Sequence, residues 1–256
     1  MAGNIVVSQI NGGSIGVINA IINGNFQVNQ RAVSGTVTLA AGVYGHDRWK
    51  AGASGCTYTF ATANNITTLT ISAGSLIQVI EGNNLFTGTY TLSWVGTAQG
   101  KIGGGSYASS GVTGTPAGGS NLNIEFNTGT LSLVQFEPGS VATPFERRPY
   151  GTELQLAQRY FWKGTINGGG VFGGSGGSIP IIGWAYPVTM RSAPTMVWIS
   201  GGNTSNGNAS YNITGVLVAN AYTDSVQILW AQSGSSGANT QGAMTTAAVS
   251  SFSAEL

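Results

Sequence analysis

Between Phe26 and about Phe136, apolar and polar side chains alternate with a period of two, which places successive residues on opposite faces of an extended chain. Val37 and Leu39 share a face. Cys56, Tyr58 and Phe60 do the same, with Thr57 and Thr59 opposite. Tyr90, Leu92 and Trp94 alternate with Thr91 and Ser93, and Leu122, Ile124 and Phe126 with Asn123 and Glu125. Short strands at this spacing, separated by glycine-rich loops at Gly103 to Gly105 and Gly118-Gly119, predict half-buried antiparallel strands in a sandwich or jelly roll.

The pattern changes once. Thr152 and Gln155 have the spacing of a capping box, and Leu154, Ala157 and Phe161 recur at helical spacing. Gly164 stands where a left-handed residue would end a helix, so one short helix is predicted over roughly 152–163, joining two β units. After a glycine-rich stretch the period of two returns: Val226, Ile228 and Trp230 share one face, as do Phe252, Ala254 and Leu256. An apolar, strand-like ending predicts that residues up to 256 are tied into a sheet. Residues 1–25 are apolar but broken by Gly and Asn, and read as a docking arm. The expected organisation is therefore an arm over 1–25, a jelly roll over 26–150, a linker helix over 151–164 and a β-sandwich over 165–256.

Composition supports this fold class and narrows the function. Only 7% of the 256 residues are charged, against roughly 25% in an average soluble protein. Six Trp, nine Tyr and nine Phe exclude a disordered chain, and 41 Gly suit tight turns between short strands. Low charge removes the like-charge repulsion that keeps monomers apart, as expected of a subunit in an assembly. With nine basic residues scattered along the chain and a net charge of +1, no phosphate-binding face is expected and hence no nucleic-acid partner. No run approaches the ~20 apolar residues of a membrane-spanning helix, and no basic region precedes an apolar one as in a secretory signal. A single Cys56 cannot form an intrachain disulfide.

Several segments resemble bacteriophage tail-fibre and related prophage proteins. Ile22-Asn23-Gly24-Asn25-Phe26 followed by Asn29-Gln30-Arg31 resembles the opening of their carbohydrate-binding-module-like jelly roll, and Asp47-Arg48-Trp49 the motif after it. Gln135 to Phe161, QFEPGSVATPFERRPYGTELQLAQRYF, is similar to that module's last strand and exit helix. Residues 186–195, YPVTMRSAPT, and the terminal Ser253-Ala254-Glu255-Leu256 resemble the β domain that commonly follows. Two positions depart from the pattern: relatives often carry Cys where this chain has Ala157, and a tryptophan-rich strand where it has residues 132–136. The resemblance implies a virion structural protein on the particle exterior, contacts with other virion proteins, a homotrimer, and host-surface polysaccharide as a possible ligand.

Tyr44, His46, Asp47, Arg48 and Trp49 concentrate polar and aromatic chemistry in a charge-poor chain. As a glycan-binding platform, an indole face stacks on sugar C–H bonds while Asp and Arg hydrogen-bond hydroxyls; as structure, Trp49 is a core anchor and Asp47-Arg48 a fixed pair. Glu146, Arg147, Arg148 and Tyr150 read as a domain exit held by carboxylate–guanidinium bonds. Trp184, Tyr186, Trp198, Tyr211, Tyr222 and Trp230 are divided between core and interface, with Trp230 expected inward.

Catalytic signals are weak. Gly-Ser-rich matches to G-x-S-x-G lack a strand–turn–helix context, and His46 is the one histidine available to a serine triad. One His and one Cys are too few for a His/Cys metal site. Asp47, Glu81, Glu125, Glu137 and Asp224 supply the carboxylates a glycosidase would need. The expectation is a non-enzymatic protein without metal or cofactor, with a purely architectural virion subunit and a polysaccharide depolymerase as alternatives.

Overall fold

The computed structural model describes residues 18–166, 169–171, 181–205, 210–232 and 241–256, and it is an antiparallel all-β protein. The first β unit contains β1 (Val37–Leu39), β2 (Lys50–Ala63), β3 (Ile66–Ile80), β4 (Tyr90–Val95), β5 (Gly100–Ile102), β6 (Val112–Gly114), β7 (Leu122–Phe126) and β8 (Gly129–Pro138). β2 and β3 are joined through Asn64-Asn65, both at positive φ (52° and 59°), as a two-residue type I′ turn requires.

The strands divide into two sets, β1-β2-β3-β7-β5 and β6-β4-β8. The strand β8 serves both: Gly129 to Leu131 pair with β3, and Ser132 to Pro138 pair with β4. The inward residues of both sets, including Tyr58, Leu69, Leu92, Trp94, Phe126 and Phe136, meet in one core. Cys56 and Tyr58, Tyr90, Leu92 and Trp94, and Ile124 and Phe126 are buried as expected, whereas Phe60 and Leu122 are half-buried. Thr91, expected on the polar face, is buried with its hydroxyl donating to the Gly139 carbonyl (2.7 Å).

Residues ahead of Phe26 belong to this unit. The amide of Ala20 donates to the Phe136 carbonyl (2.8 Å), and that of Val134 to the Gly24 carbonyl (2.9 Å), so the chain runs along the remaining side of β8. Ile21 is fully buried. A Cβ on Gly24 would stand 2.2 Å from the Val134 carbonyl oxygen, which accounts for glycine there. Of the expected docking arm, residues 18–25 are part of the fold, and residues 1–17 lie outside the described residues.

The helix α1 runs Tyr150–Gln158, starting two residues earlier and ending about five earlier than the pattern predicts. Pro149 is its N-cap, and no side chain caps it, so the Thr152/Gln155 capping box does not form. Glu153 is turned instead toward Arg148, at 3.2 Å, and accepts from the amide of Asn23. Gly164 does not end the helix. It lies in the following strand, where a Cβ would come within 2.3 Å of the Trp162 ring.

The second unit contains β9 (Phe161–Ile166), β10 (Gly169–Val171), β11 (Ile181–Ala185), β12 (Thr195–Ser205), β13 (Ser210–Ala221), β14 (Ser225–Gln232) and β15 (Gln241–Ser253). They hydrogen-bond in the order β10-β15-β12-β13-β14-β11, with β9 also on β15. Trp162, Tyr186, Met190, Val226, Ile228, Phe252 and Ala254 form its core. Trp162 lies against Phe252 (centroids 5.4 Å apart) and Trp184 (6.2 Å). Trp198 packs partly against the same cluster and Tyr222 is exposed. The side chains of Tyr211 and Trp230 lie outside the described residues.

Candidate functional site

Asp47-Arg48-Trp49 occupies the tight connection into β2, and all three side chains point inward. Trp49 has no exposed surface: its ring packs on Phe26 (5.0 Å) and Phe126 (6.1 Å), and its indole N–H donates to the Asn23 carbonyl (3.0 Å). Sugar stacking needs an open ring face, and Trp49 presents none, so it is a core anchor.

Asp47 is equally enclosed. Its Oδ2 accepts from the Gln30 amide (2.6 Å), and its Oδ1 from the Gln30 side chain (2.9 Å) and Arg31 (3.4 Å). Burial raises the Asp47 pKa, opposed by Arg31 and the Gln30 bonds. Arg48 adopts φ +72°, a left-handed conformation that costs a side-chain-bearing residue of order 1–3 kcal/mol unless its surroundings hold it.

Arg48 is held from both β units. Its Nη1 donates to Glu255 Oε2 (2.5 Å), its Nη2 to the Val79 carbonyl (2.6 Å), and its guanidinium carbon sits 3.5 Å from the Tyr160 ring centroid. Arg31 also reaches Glu255, at Oε1 (3.2 Å), with its own guanidinium 3.6 Å from the Phe161 ring centroid. Lys50 donates to the Leu256 backbone oxygen (2.7 Å), as does the Tyr44 hydroxyl. Burial and then the Glu255 charge push the Tyr44 phenol up to about 12, while burial lowers the Lys50 pKa. Glu81 accepts from Arg159 (3.2 Å) and the Tyr160 hydroxyl (2.9 Å), and Arg191 Nε donates to the Ala254 carbonyl (2.9 Å). The four residues expected to form a glycan platform thus lie at or beside a junction that grips the segment Ala254-Glu255-Leu256.

The exit motif is a second clamp. Arg148, 6% exposed, donates to the backbone oxygens of Asn19 and Ile21 and pairs with Glu146 (3.5 Å) and Glu153 (3.2 Å). Glu146 also accepts from the Asn19 amide (2.8 Å). Arg147 is exposed, and Tyr150 opens α1 with its ring half-exposed.

The carboxylates considered for catalysis are each engaged separately. Asp47 and Glu81 serve the junction; Glu125 accepts from Lys101 (2.9 Å) and Tyr107 (2.9 Å), Glu137 from Thr143 (2.6 Å), and Asp224 from Ser225 (2.8 Å). Among the described residues no group of three or more His, Cys, Asp or Glu is placed to hold a metal ion.

No known protein family, curated protein or solved structure matches the chain.

Arg31, Glu81, Arg159, Tyr160, Arg191 and Glu255 complete the junction; all but Glu81 lie in the segments quoted above, yet no local pattern assigns them this role. The available signal is scarcity. In a chain with 7% charged residues, few charges are needed as solvated surface, so each becomes a candidate for internal pairing.

His46 gives the first unit a pH dependence. Its Nδ1 lies 2.9 Å from the Tyr58 hydroxyl, its ring meets Phe60 edge-on at 4.5 Å, and Nε2 has no partner. Burial lowers its pKa to about 4. A histidine whose folded pKa lies below its unfolded value near 6.5 leaves the unfolded chain binding the extra proton between those limits. Stability is therefore full above pH 6.5 and falls as pH drops toward 4, by about 3 kcal/mol in total. Asp47, with a raised pKa, acts in the opposite sense and is common to both proteins if His46→Gln is the control. Urea midpoints between pH 4 and 7 are expected to fall more steeply for the wild type than for His46→Gln. Parallel curves would rule this titration out.

Proposed function

We propose that this chain is a structural subunit of a bacteriophage particle, of tail-fibre or spike type, displayed on the particle exterior, where it contributes to adhesion to host-surface glycans. The observation that carries this reading is the use made of the few charges. Arg31, Arg48, Lys50, Glu81, Arg159, Arg191 and Glu255 join the two β units, Asp47 holds Arg31 in place, and Glu146, Arg148 and Glu153 clamp the exit. Few charges remain for the outside, and a weakly charged surface suits a subunit packed among other virion proteins and copies of itself. Most residues of both clamps lie in segments resembling phage tail-fibre modules, residues 22–31, 47–49, 135–161, 186–195 and 253–256. A homotrimer would multiply weak glycan contacts by holding several sites together.

The architectural alternative, a decoration subunit without a receptor, is favoured by the burial of Asp47, Arg48 and Trp49. A depolymerase would need two carboxylates facing an open cleft, and the described ones are engaged separately. Purified protein incubated with host cells and capsular polysaccharide separates the three. Adsorption without shortening of the polysaccharide is the expected result; shortening identifies the depolymerase, and neither effect the architectural subunit. A clean monomer by mass measurement in solution would remove the trimer.

A further inference from the structure

A cleft of about 460 Å³ opens on the first unit beside the exit clamp, away from Asp47-Arg48-Trp49. Ile18, Asn19, Ala20 and Ile22 form one side, Asn83 and Asn84 of the 3-10 turn with Phe86 another, and Pro138 and Leu156 also line it. Its size falls within the roughly 300–1,000 Å³ of small-molecule sites.

Three features define what it can hold. Phe86 is 79% exposed, an aromatic ring offered to solvent beside the fully folded Leu85. Its backbone is fixed, because the Phe86 amide donates to the Tyr90 hydroxyl (3.2 Å) and the Leu85 amide to the Gly82 carbonyl (3.0 Å). Asn83 and Asn84 are exposed on the adjoining turn, each side chain carrying two donors and an acceptor that no described residue engages. The single charged lining residue, Arg148, has both Nη groups committed to Glu146, Glu153 and two backbone oxygens, and its Nε is buried.

From these features we infer that the cleft is a binding site for a neutral saccharide. The inference rests on the adhesion reading and names the site that reading needs. A sugar ring presents C–H bonds on one face and hydroxyls around its rim; Phe86 supplies the apolar platform and the Asn83 and Asn84 amides the hydrogen bonds. An anionic ligand would need an uncommitted cation, and the lining offers none. The fixed turn lowers the ordering cost on binding.

The test uses the whole chain and three variants, Phe86→Ala, Asn83→Ala and Asn84→Ala, all at exposed positions and checked for an unchanged circular dichroism spectrum. Calorimetric titration with neutral glucans, galactans and mannans, and with hyaluronate as an acidic polymer, is expected to show binding to a neutral polymer. Phe86→Ala should weaken it at least tenfold, and each Asn variant severalfold. Wild-type binding that Phe86→Ala leaves intact overturns the site, as does preference for hyaluronate or no binding to any polymer. A drop in solution mass on Phe86→Ala would make the cleft a contact between subunits and also overturn it. Adsorption to host cells separates this inference from the reading beneath it. If the wild type adsorbs and Phe86→Ala adsorbs equally, the site fails alone; if the wild type does not adsorb, the adhesion reading fails.

Discussion

Alanine at Trp49 is expected to destabilise the first β unit by about 3–5 kcal/mol, a large part of the 5–15 kcal/mol that holds a typical domain together. The ring is fully buried against Phe26 and Phe126, and its loss leaves a cavity in the core of the unit. It also leaves the Asn23 carbonyl without the indole donor at 3.0 Å. Asn23 itself pins Val28 and Asp47 through its side chain, so the damage reaches the junction. Urea unfolding followed by far-UV circular dichroism measures the loss. Trp49→Phe should recover much of it by refilling the space without the hydrogen bond. A Trp49→Ala midpoint within 1 kcal/mol of wild type would show that the ring is not the anchor described.

Alanine at Glu255 is expected to cost a comparable amount, about 3–5 kcal/mol, by a different route. The substitution removes little volume but strands Arg48, whose side chain is 1% exposed and whose closest acid is Glu255 at 2.5 Å. Arg31 suffers less, since it keeps Asp47 and is 14% exposed. Because the lost contacts bridge the two β units, thermal unfolding, expected as one transition in the wild type, should split into two in the variant. Glu255→Gln, which keeps an acceptor, should fall between. Adding Arg48→Met to Glu255→Ala should restore part of the loss, because it removes the unpaired buried cation rather than replacing its partner. A single transition at the wild-type temperature in Glu255→Ala would show that the junction does not couple the units.

The two effects differ in how visible their causes are along the chain. The strands are legible because a sheet face is a local property. Alternation at Val37-Thr38-Leu39 or Cys56-Thr57-Tyr58 records which face is buried, whatever the strand pairs with. The helix is legible in kind and not in bounds. Thr152 and Gln155 form no box because Pro149 starts the helix earlier, and Glu153 answers Arg148 and Asn23, residues outside its own turn. The candidate platform illustrates the same limit. Tyr44, Asp47, Arg48 and Trp49 stand out by residue type, and type alone does not distinguish a side chain offered to a ligand from one answering a residue two hundred positions away.

The sequence by itself determined an antiparallel all-β chain in two units joined by one short helix, with few charges, which composition alone relates to assembly. It did so because hydrophobic periodicity and glycine placement act over a few residues. Only the tertiary structure decided what those charges do: Arg48 meets Glu255 across 207 positions, Asn19 meets Glu146 across 127, and Phe86 is left open beside an unfilled cleft. Electrostatic pairing and exposure depend on distance in space, and neither leaves a period in the chain.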